Sequence, residues 1–313
     1  MGIHVIVGAG ATGSSAALEL AGAGHRVKLV TKSGRGPVHT GIELVAADAS
    51  DRAALSRIVS GADVLYNCAN PPAYNRWAEI WPPLSASFLK TAETTGAGLV
   101  IMSNLYGYGP VDHPMTEVDP LAASGKKGRI RAQMWTEALA AHAAGRIRAT
   151  EARASDFYGP GTGNSHFGRN VPNLLAGRRI RVIGDPDAPH SWTFVGDVGR
   201  ALAVLGTDAR SWGRAWHVPS PPPLSQREMA ARVCELAGLP APRVAGAPSA
   251  MTRALGLFSP VMRELQETLY QFDRPFVVDS SAFTREFGVV ATPLDEALAA
   301  TLNAVRGEVA NVA

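Results

Sequence analysis

Apolar runs of about five residues alternate with helically spaced stretches through the first hundred positions of this chain. Residues 3–7, 26–31, 41–46, 63–68 and 99–103 read as strands, and residues 14–23, 53–60 and 78–95 as the helices between them. In the second strand Val27, Leu29 and Thr31 fall on one face and Lys28 and Val30 on the other. The fifth, Leu99-Val100-Ile101-Met102-Ser103, is apolar almost throughout, as a strand covered on both faces must be. Such alternation builds an α/β fold, a doubly wound parallel sheet with helices on both sides. The second half is less regular. Residues 219–223 are a proline-rich hinge, residues 240–248 a second proline-rich loop, and residues 297–305 a closing helix.

The turn after the first strand reads Gly8-Ala9-Gly10-Ala11-Thr12-Gly13. Strand, G-x-G-x-x-G and helix follow in the order a dinucleotide-binding unit requires. Gly8 permits the tight turn, Gly10 lets the backbone approach a pyrophosphate, and Gly13 lets the helix pack close to the strand. The helix N-terminus offers free N–H groups to the phosphates. The sheet is therefore expected to be Rossmann-type, with a smaller C-terminal substrate lobe. Residues 1–155, joined by 193–220, are assigned to an NADP-binding lobe, and residues 156–192 and 221–313 to the substrate lobe. At the end of the second strand stand Lys32 and Arg35, with no acid that would bind a ribose 2′-hydroxyl. Cations there favour NADP(H) over NAD(H); the other reading is surface charge on a loop. Asp48, after the third strand, is a candidate for the adenine side or an ordinary turn aspartate. Thr12, Ala69 and Asn70 complete the expected cofactor contacts.

Composition narrows the classes. The 313 residues are 46% hydrophobic and 18% charged, enough apolar material for a folded core of one large or two modest domains. The net charge is only +3, and the basic runs at 126–131 and 178–181 lack interleaved aromatics. They read as solvated surface, so no nucleic-acid partner is expected. No run of eighteen apolar residues occurs, so no membrane span is expected. A strand starting at residue 3 leaves no room for a signal peptide, and a cytoplasmic protein is expected. Cys68 and Cys234 are too few for a disulfide framework and are expected to stay reduced. The eight histidines are scattered, with no His-x-x-x-His and no paired Cys, so no metal site is expected.

Five motifs in order resemble the extended short-chain dehydrogenase/reductases, the NAD-dependent epimerase/dehydratase family. They are the glycine turn, Ser103-Asn104-Leu105-Tyr106-Gly107-Tyr108-Gly109, Pro114-Met115-Thr116-Glu117, Arg153-Ala154-Ser155-Asp156-Phe157-Tyr158-Gly159-Pro160-Gly161, and Trp192-Thr193-Phe194-Val195-Gly196-Asp197-Val198. The resemblance covers essentially the whole chain. It implies a small-molecule substrate and, commonly in the family, a homodimer, for which helices 78–95 and 131–144 are the candidate surfaces.

The departures bear on function. The family's Ser or Thr falls on Asn104. Its Tyr-x-x-x-Lys, counted without a gap from Tyr108-Gly109, falls on Arg129 and Gln133. The Arg with which nucleotide-sugar members bind a diphosphate falls on His190, and the family's Asn on Asp156, whose charge would repel a phosphate. These changes argue against UDP-sugars and for a neutral or cationic substrate.

The expected chemistry is that of an NAD(P)-dependent oxidoreductase, a reductase of a carbonyl on a small non-nucleotide organic substrate. Asn104 would hydrogen-bond the carbonyl. Tyr106, on the same side if the chain stays extended, would donate the proton, and Arg129 would lower its pKa and stabilise an alkoxide. Asp156, Tyr158, His190 and Trp192 are the substrate-side candidates. Tyr108 reads as the structural Tyr of the Tyr-Gly turn. Two alternatives stay open: an NAD(P)-dependent epimerase or dehydratase of a sugar-like substrate, and a non-catalytic NADP(H)-binding sensor.

Overall fold

The apolar runs pair side by side in the computed structural model, which describes residues 1–71, 74–247 and 266–310. β1 (Ile3–Val7), β2 (Arg26–Thr31), β3 (Ile42–Ala46), β4 (Val64–Asn67) and β5 (Gly98–Asn104) lie within one residue of their expected bounds. The later strands are β6 (Ala149–Ala154), β7 (Asp156–Tyr158), β8 (Ile180–Ile183), β9 (Trp192–Phe194), β10 (Ala215–His217) and β11 (Val244–Ala247). Seven strands form one parallel sheet in the order β10-β6-β5-β4-β1-β2-β3. The order reverses between β1 and β4, the switch point at which such sheets open a ligand crevice.

Alternate residues of each strand feed opposite faces. Val5, Leu65 and Leu99 pack under α2 (Arg52–Val59), α3 (Trp77–Thr95) and α4 (Lys126–Ala143). Ile6, Tyr66 and Val100 pack under α1 (Ala11–Gly22) and α5 (Val195–Thr207). α1 begins three residues before its expected start, because Gly10 is already its N-cap. A third core, around Phe167, Trp192, Met229 and Leu298, belongs to the later segments. There β7 pairs with β9 and β8 with β11. The expected closing helix runs longer than its apolar pattern, over Leu294–Ala310. Pro248, the end of the second proline-rich loop, lies outside the described residues.

β6 escapes the hydrophobic pattern because its sequence is Ala-Thr-Glu-Ala-Arg-Ala, yet all six residues are buried. Glu151 and Arg153 share a face and satisfy each other: Arg153 Nε donates to Glu151 Oε2 at 2.6 Å. Arg153 Nη1 donates to the Tyr108 hydroxyl at 2.6 Å. His217 Nδ1 lies 2.8 Å from the Asp279 carbonyl, so that nitrogen carries the proton. Nε2 is then an acceptor, and the Tyr108 O–H donates to it at 2.7 Å. Burial pushes the Tyr108 phenol up to about 12 and the His217 imidazole below its ordinary range. The network is neutral overall and saturated, as buried polar groups must be. It ties the turn after β5 to β6, β10 and the segment at Asp279.

Tyr108→Phe removes one acceptor from Arg153 and the hydroxyl that donates to His217 Nε2. The expected cost is about 1–3 kcal/mol, the usual penalty for buried groups left unpaired, read as a lowered urea midpoint. An unchanged midpoint would contradict the network's role.

Candidate functional site

The carboxyl ends of β1, β4, β5 and β6 meet at the switch point, and the glycine turn lies among them. Gly8 adopts φ +104°, and a Cβ there would lie 2.5 Å from the Cys68 carbonyl oxygen. A Cβ on Gly13 would run into the Gly8 carbonyl. Both positions are closed by backbone. Gly10 differs: a Cβ there meets nothing within 4 Å. No side chain caps α1, whose first N–H groups face that space. An open concavity over uncapped amides fits a pyrophosphate. Thr12 is in the first turn of α1, half-buried, and Ala69 and Asn70 follow β4 beside Gly8.

At the end of β2 two expected cofactor residues meet. Lys32 Nζ and Asp48 Oδ2 are 2.8 Å apart, with side chains 80% and 46% exposed. The Lys32 bond, and then Ser50, hold the Asp48 carboxyl down at about 2. An exposed pair of this kind is worth under about 1 kcal/mol, so a stronger anion can take the lysine over. Arg35 is exposed on the same loop, its N–H bonded to Thr31 Oγ1 at 3.1 Å.

Beyond β5 the chain does not stay extended. Asn104 Oδ1 accepts the Tyr106 N–H at 3.1 Å, and the Tyr108 N–H bonds the Leu105 carbonyl at 3.2 Å. The asparagine side chain makes the turn itself, as Asn does when it bonds the backbone two residues on. Its amide nitrogen stays available as a donor. Tyr106 is half-buried, its ring stacked on Trp77 at 6.2 Å between centroids.

Arg129 is the main correction. It is exposed, and its guanidinium turns back onto the Ser124 carbonyl, away from Tyr106. Gln133 is exposed too, bonded to Glu137 at 2.8 Å. The inward face of α4 is set by helical period: Lys127 and Arg131, 1% and 6% exposed, line up with Met134, Trp135 and Ala138. The ungapped count chose the outward face. The signal that finds the inward one is the apolar stripe of α4, extended one turn back. The Arg131 guanidinium lies 4.2 Å from the Trp81 ring centroid and 5.0 Å from that of Trp77. The Lys127 ammonium pairs with Glu267 at 3.4 Å, and that carboxylate also accepts the Lys127 and Gly128 N–H groups at the start of α4. A small pocket between Asn104, Gly107, Tyr108, Arg131, Glu151 and Arg153 adjoins this corner.

On the substrate side, Asp156 stands two residues beyond Ala154, the register partner of Asn104. His190 Nε2 lies 2.9 Å from its Oδ2. Tyr158 and Trp192 are buried in the third core. Trp192 Nε1 donates to the Leu224 carbonyl at 2.8 Å, and burial pushes the Tyr158 phenol well up. Among the described residues no group of acidic, His or Cys side chains could hold a metal ion, and no helix is long and apolar enough to cross a membrane.

The sequence model of the NAD dependent epimerase/dehydratase family matches residues 4–217. No curated protein matches the chain in sequence. Among solved structures, the dTDP-glucose 4,6-dehydratase of Bacillus anthracis in complex with NAD superposes with a TM-score of 0.79 at 17% identity, over 98% of this chain and 97% of that one. An epimerase of Methanothermobacter thermautotrophicus gives 0.80 at 20% identity, over 96% and 90%. The UDP-glucose 4-epimerase of Thermotoga maritima with UDP-glucose gives 0.78 at 16% identity, over 98% and 99%. At these identities the likeness is one of fold.

Proposed function

The chain belongs to the NAD-dependent epimerase/dehydratase family, a family of enzymes, and on that premise we propose that it epimerises or dehydrates a small sugar-like substrate by way of NAD(P). A nicotinamide cofactor accepts and returns a hydride. The observation that carries the reading is the open space over Gly10, a few strands from two polar groups, Asn104 and Asp156, at adjacent strand ends. Residues 1–155 with 193–220 form the cofactor lobe in this reading, and residues 156–192 with 221–313 the substrate lobe.

The residues divide the work as follows. The Asn104 amide nitrogen donates to the substrate oxygen. As a hydroxyl carbon gives up its hydride, the hydroxyl proton passes to Tyr106 in its phenolate form, whose own proton has gone to solvent beforehand, and the proton comes back when the hydride is returned. Lys127 and Glu267, at the start of α4, hold a cation and a carboxylate beside this corner. Arg129, turned onto the Ser124 carbonyl, takes no part in this proton path. A carbonyl reductase would run the same steps in one direction only, and the family favours the reversible use. NADP(H) is preferred over NAD(H) in this proposal, the 2′-phosphate drawing Lys32 from Asp48 and adding Arg35.

Two outcomes are expected. In thermal-shift titrations NADPH raises the melting temperature more than NADH does, and Lys32→Ala narrows the difference; equal shifts in the parent protein would refute the preference. A ligand at about 100 times its Kd stabilises by about 2.7 kcal/mol, well within reach of the method. With a panel of free aldoses and ketoses, Tyr106→Phe lowers kcat at least about tenfold with little change in KM. An unchanged kcat would remove Tyr106 from the proton path, and cofactor binding without any turnover would favour a sensor.

A further inference from the structure

Asp156 carries the one carboxylate among the substrate-side candidates, two residues beyond the register partner of Asn104, and a buried histidine holds it. Its side chain is 24% exposed, while that of His190 is 2% exposed. His190 Nδ1 lies 3.1 Å from the Gln271 carbonyl, a pure acceptor, so this nitrogen carries a proton. Nε2 faces the carboxylate at 2.9 Å. A second proton is therefore held on the line between His190 and Asp156. The imidazole is clamped. Phe272 stacks on it at 5.2 Å and Phe276 at 5.4 Å, with Trp192 at 4.5 Å. Asp156 Oδ2 is thus engaged, which leaves Oδ1 to a ligand.

The surrounding charges do not change this assignment. His166 stacks on Phe272 at 3.9 Å and bonds Gln226 Oε1 at 2.6 Å; its burial favours the neutral ring. Arg169 turns to the carbonyls of Ser165 and Asn164. Burial is the largest single influence and would raise the Asp156 carboxyl, but the His190 bond and charge, joined by the charges of His166 and Arg169, together hold the group below its ordinary range.

We propose that Asp156, positioned by His190, determines specificity: the crevice takes a substrate that presents a hydroxyl or amine donor there and excludes a nucleoside diphosphate. A diphosphate approaching this wall meets a fixed carboxylate whose counter-cation is already engaged behind it. A hydroxyl or ammonium group meets an oriented acceptor. The inference rests on the proposed function in taking the crevice as the substrate site.

The test uses the full chain loaded with NAD(P), with UDP-glucose as probe. Dinucleotide binding is measured first in every variant; its absence from the parent protein would refute the proposed function itself, whatever UDP-glucose does. With the dinucleotide bound, the parent protein binds UDP-glucose weakly. Asp156→Asn binds it at least about tenfold tighter, about 1.4 kcal/mol, and Asp156→Glu, which keeps the charge, gains nothing. Parent affinity equal to that of Asp156→Asn, or equal gains in both variants, would overturn the proposal. The positioning role has its own readout in nitrogen-15 spectra of the histidine rings. The parent protein shows one proton on His190 Nδ1 and one shared between Nε2 and Asp156, and Asp156→Asn shows only the first. A single N–H in the parent would contradict the shared proton.

Discussion

The close approach of α1 to β1 is the constraint from which the rest follows. Residue 13 stands against the Gly8 carbonyl with no room for a side chain, and Gly8 in turn stands against Cys68 at the end of β4. Three backbones are pressed together at the switch point of the sheet. That contact aims the amino end of α1 over the strand ends. It also leaves the one open glycine, Gly10, on the outer side of the turn. The cofactor cradle is thus a by-product of packing: the helix comes close because glycine allows it, and the amides exposed by that approach are what a pyrophosphate binds.

A second constraint positions the proposed reacting end. The turn that carries Asn104 and Tyr106 is short and lies over a buried charge network. Arg153 and Glu151 would be costly in a sheet interior if either stood alone. Paired, and closed through Tyr108 to His217, they hold the turn against β6 and β10. The proposed substrate wall uses the same economy of charge. Asp156 is kept as an oriented acceptor by a histidine that aromatic rings prevent from turning. In both places a buried partner fixes the state of a group that stands nearer the crevice.

The sequence is most legible where one period dominates. β1 to β5 are mostly apolar runs, β2 and β3 with alternating polar positions, and were readable to within a residue, as was the glycine turn, whose spacing has a steric reason at each position. β6 was hidden because its stability comes from Glu151 and Arg153 pairing with each other, which no hydrophobic pattern records. Arg129 was placed on the wrong face of α4 because an ungapped count ignores the loop before the helix; the period of Met134, Trp135 and Ala138 carries the right phase. Whether the chain stays extended after β5 is a condition the sequence leaves open, because the bond that decides it is made by the Asn104 side chain. Asp156 and His190 were each legible as unusual residues, but they are 34 positions apart, and only the fold brings them to one hydrogen bond.

The account's central claim is that the space over Gly10 belongs to a dinucleotide. Gly10 has φ −68°, a conformation any residue adopts, and a Cβ there touches nothing in the protein. The most direct measurement is calorimetric binding of NADP and NAD to the parent protein and to Gly10→Val. The account predicts that the variant loses no more than the roughly 1 kcal/mol of a poorer N-cap residue, a fall of a few degrees in melting temperature, and loses at least about tenfold in affinity for both dinucleotides. A Gly10→Val protein that binds them as tightly as the parent, or a parent that binds neither, would contradict it.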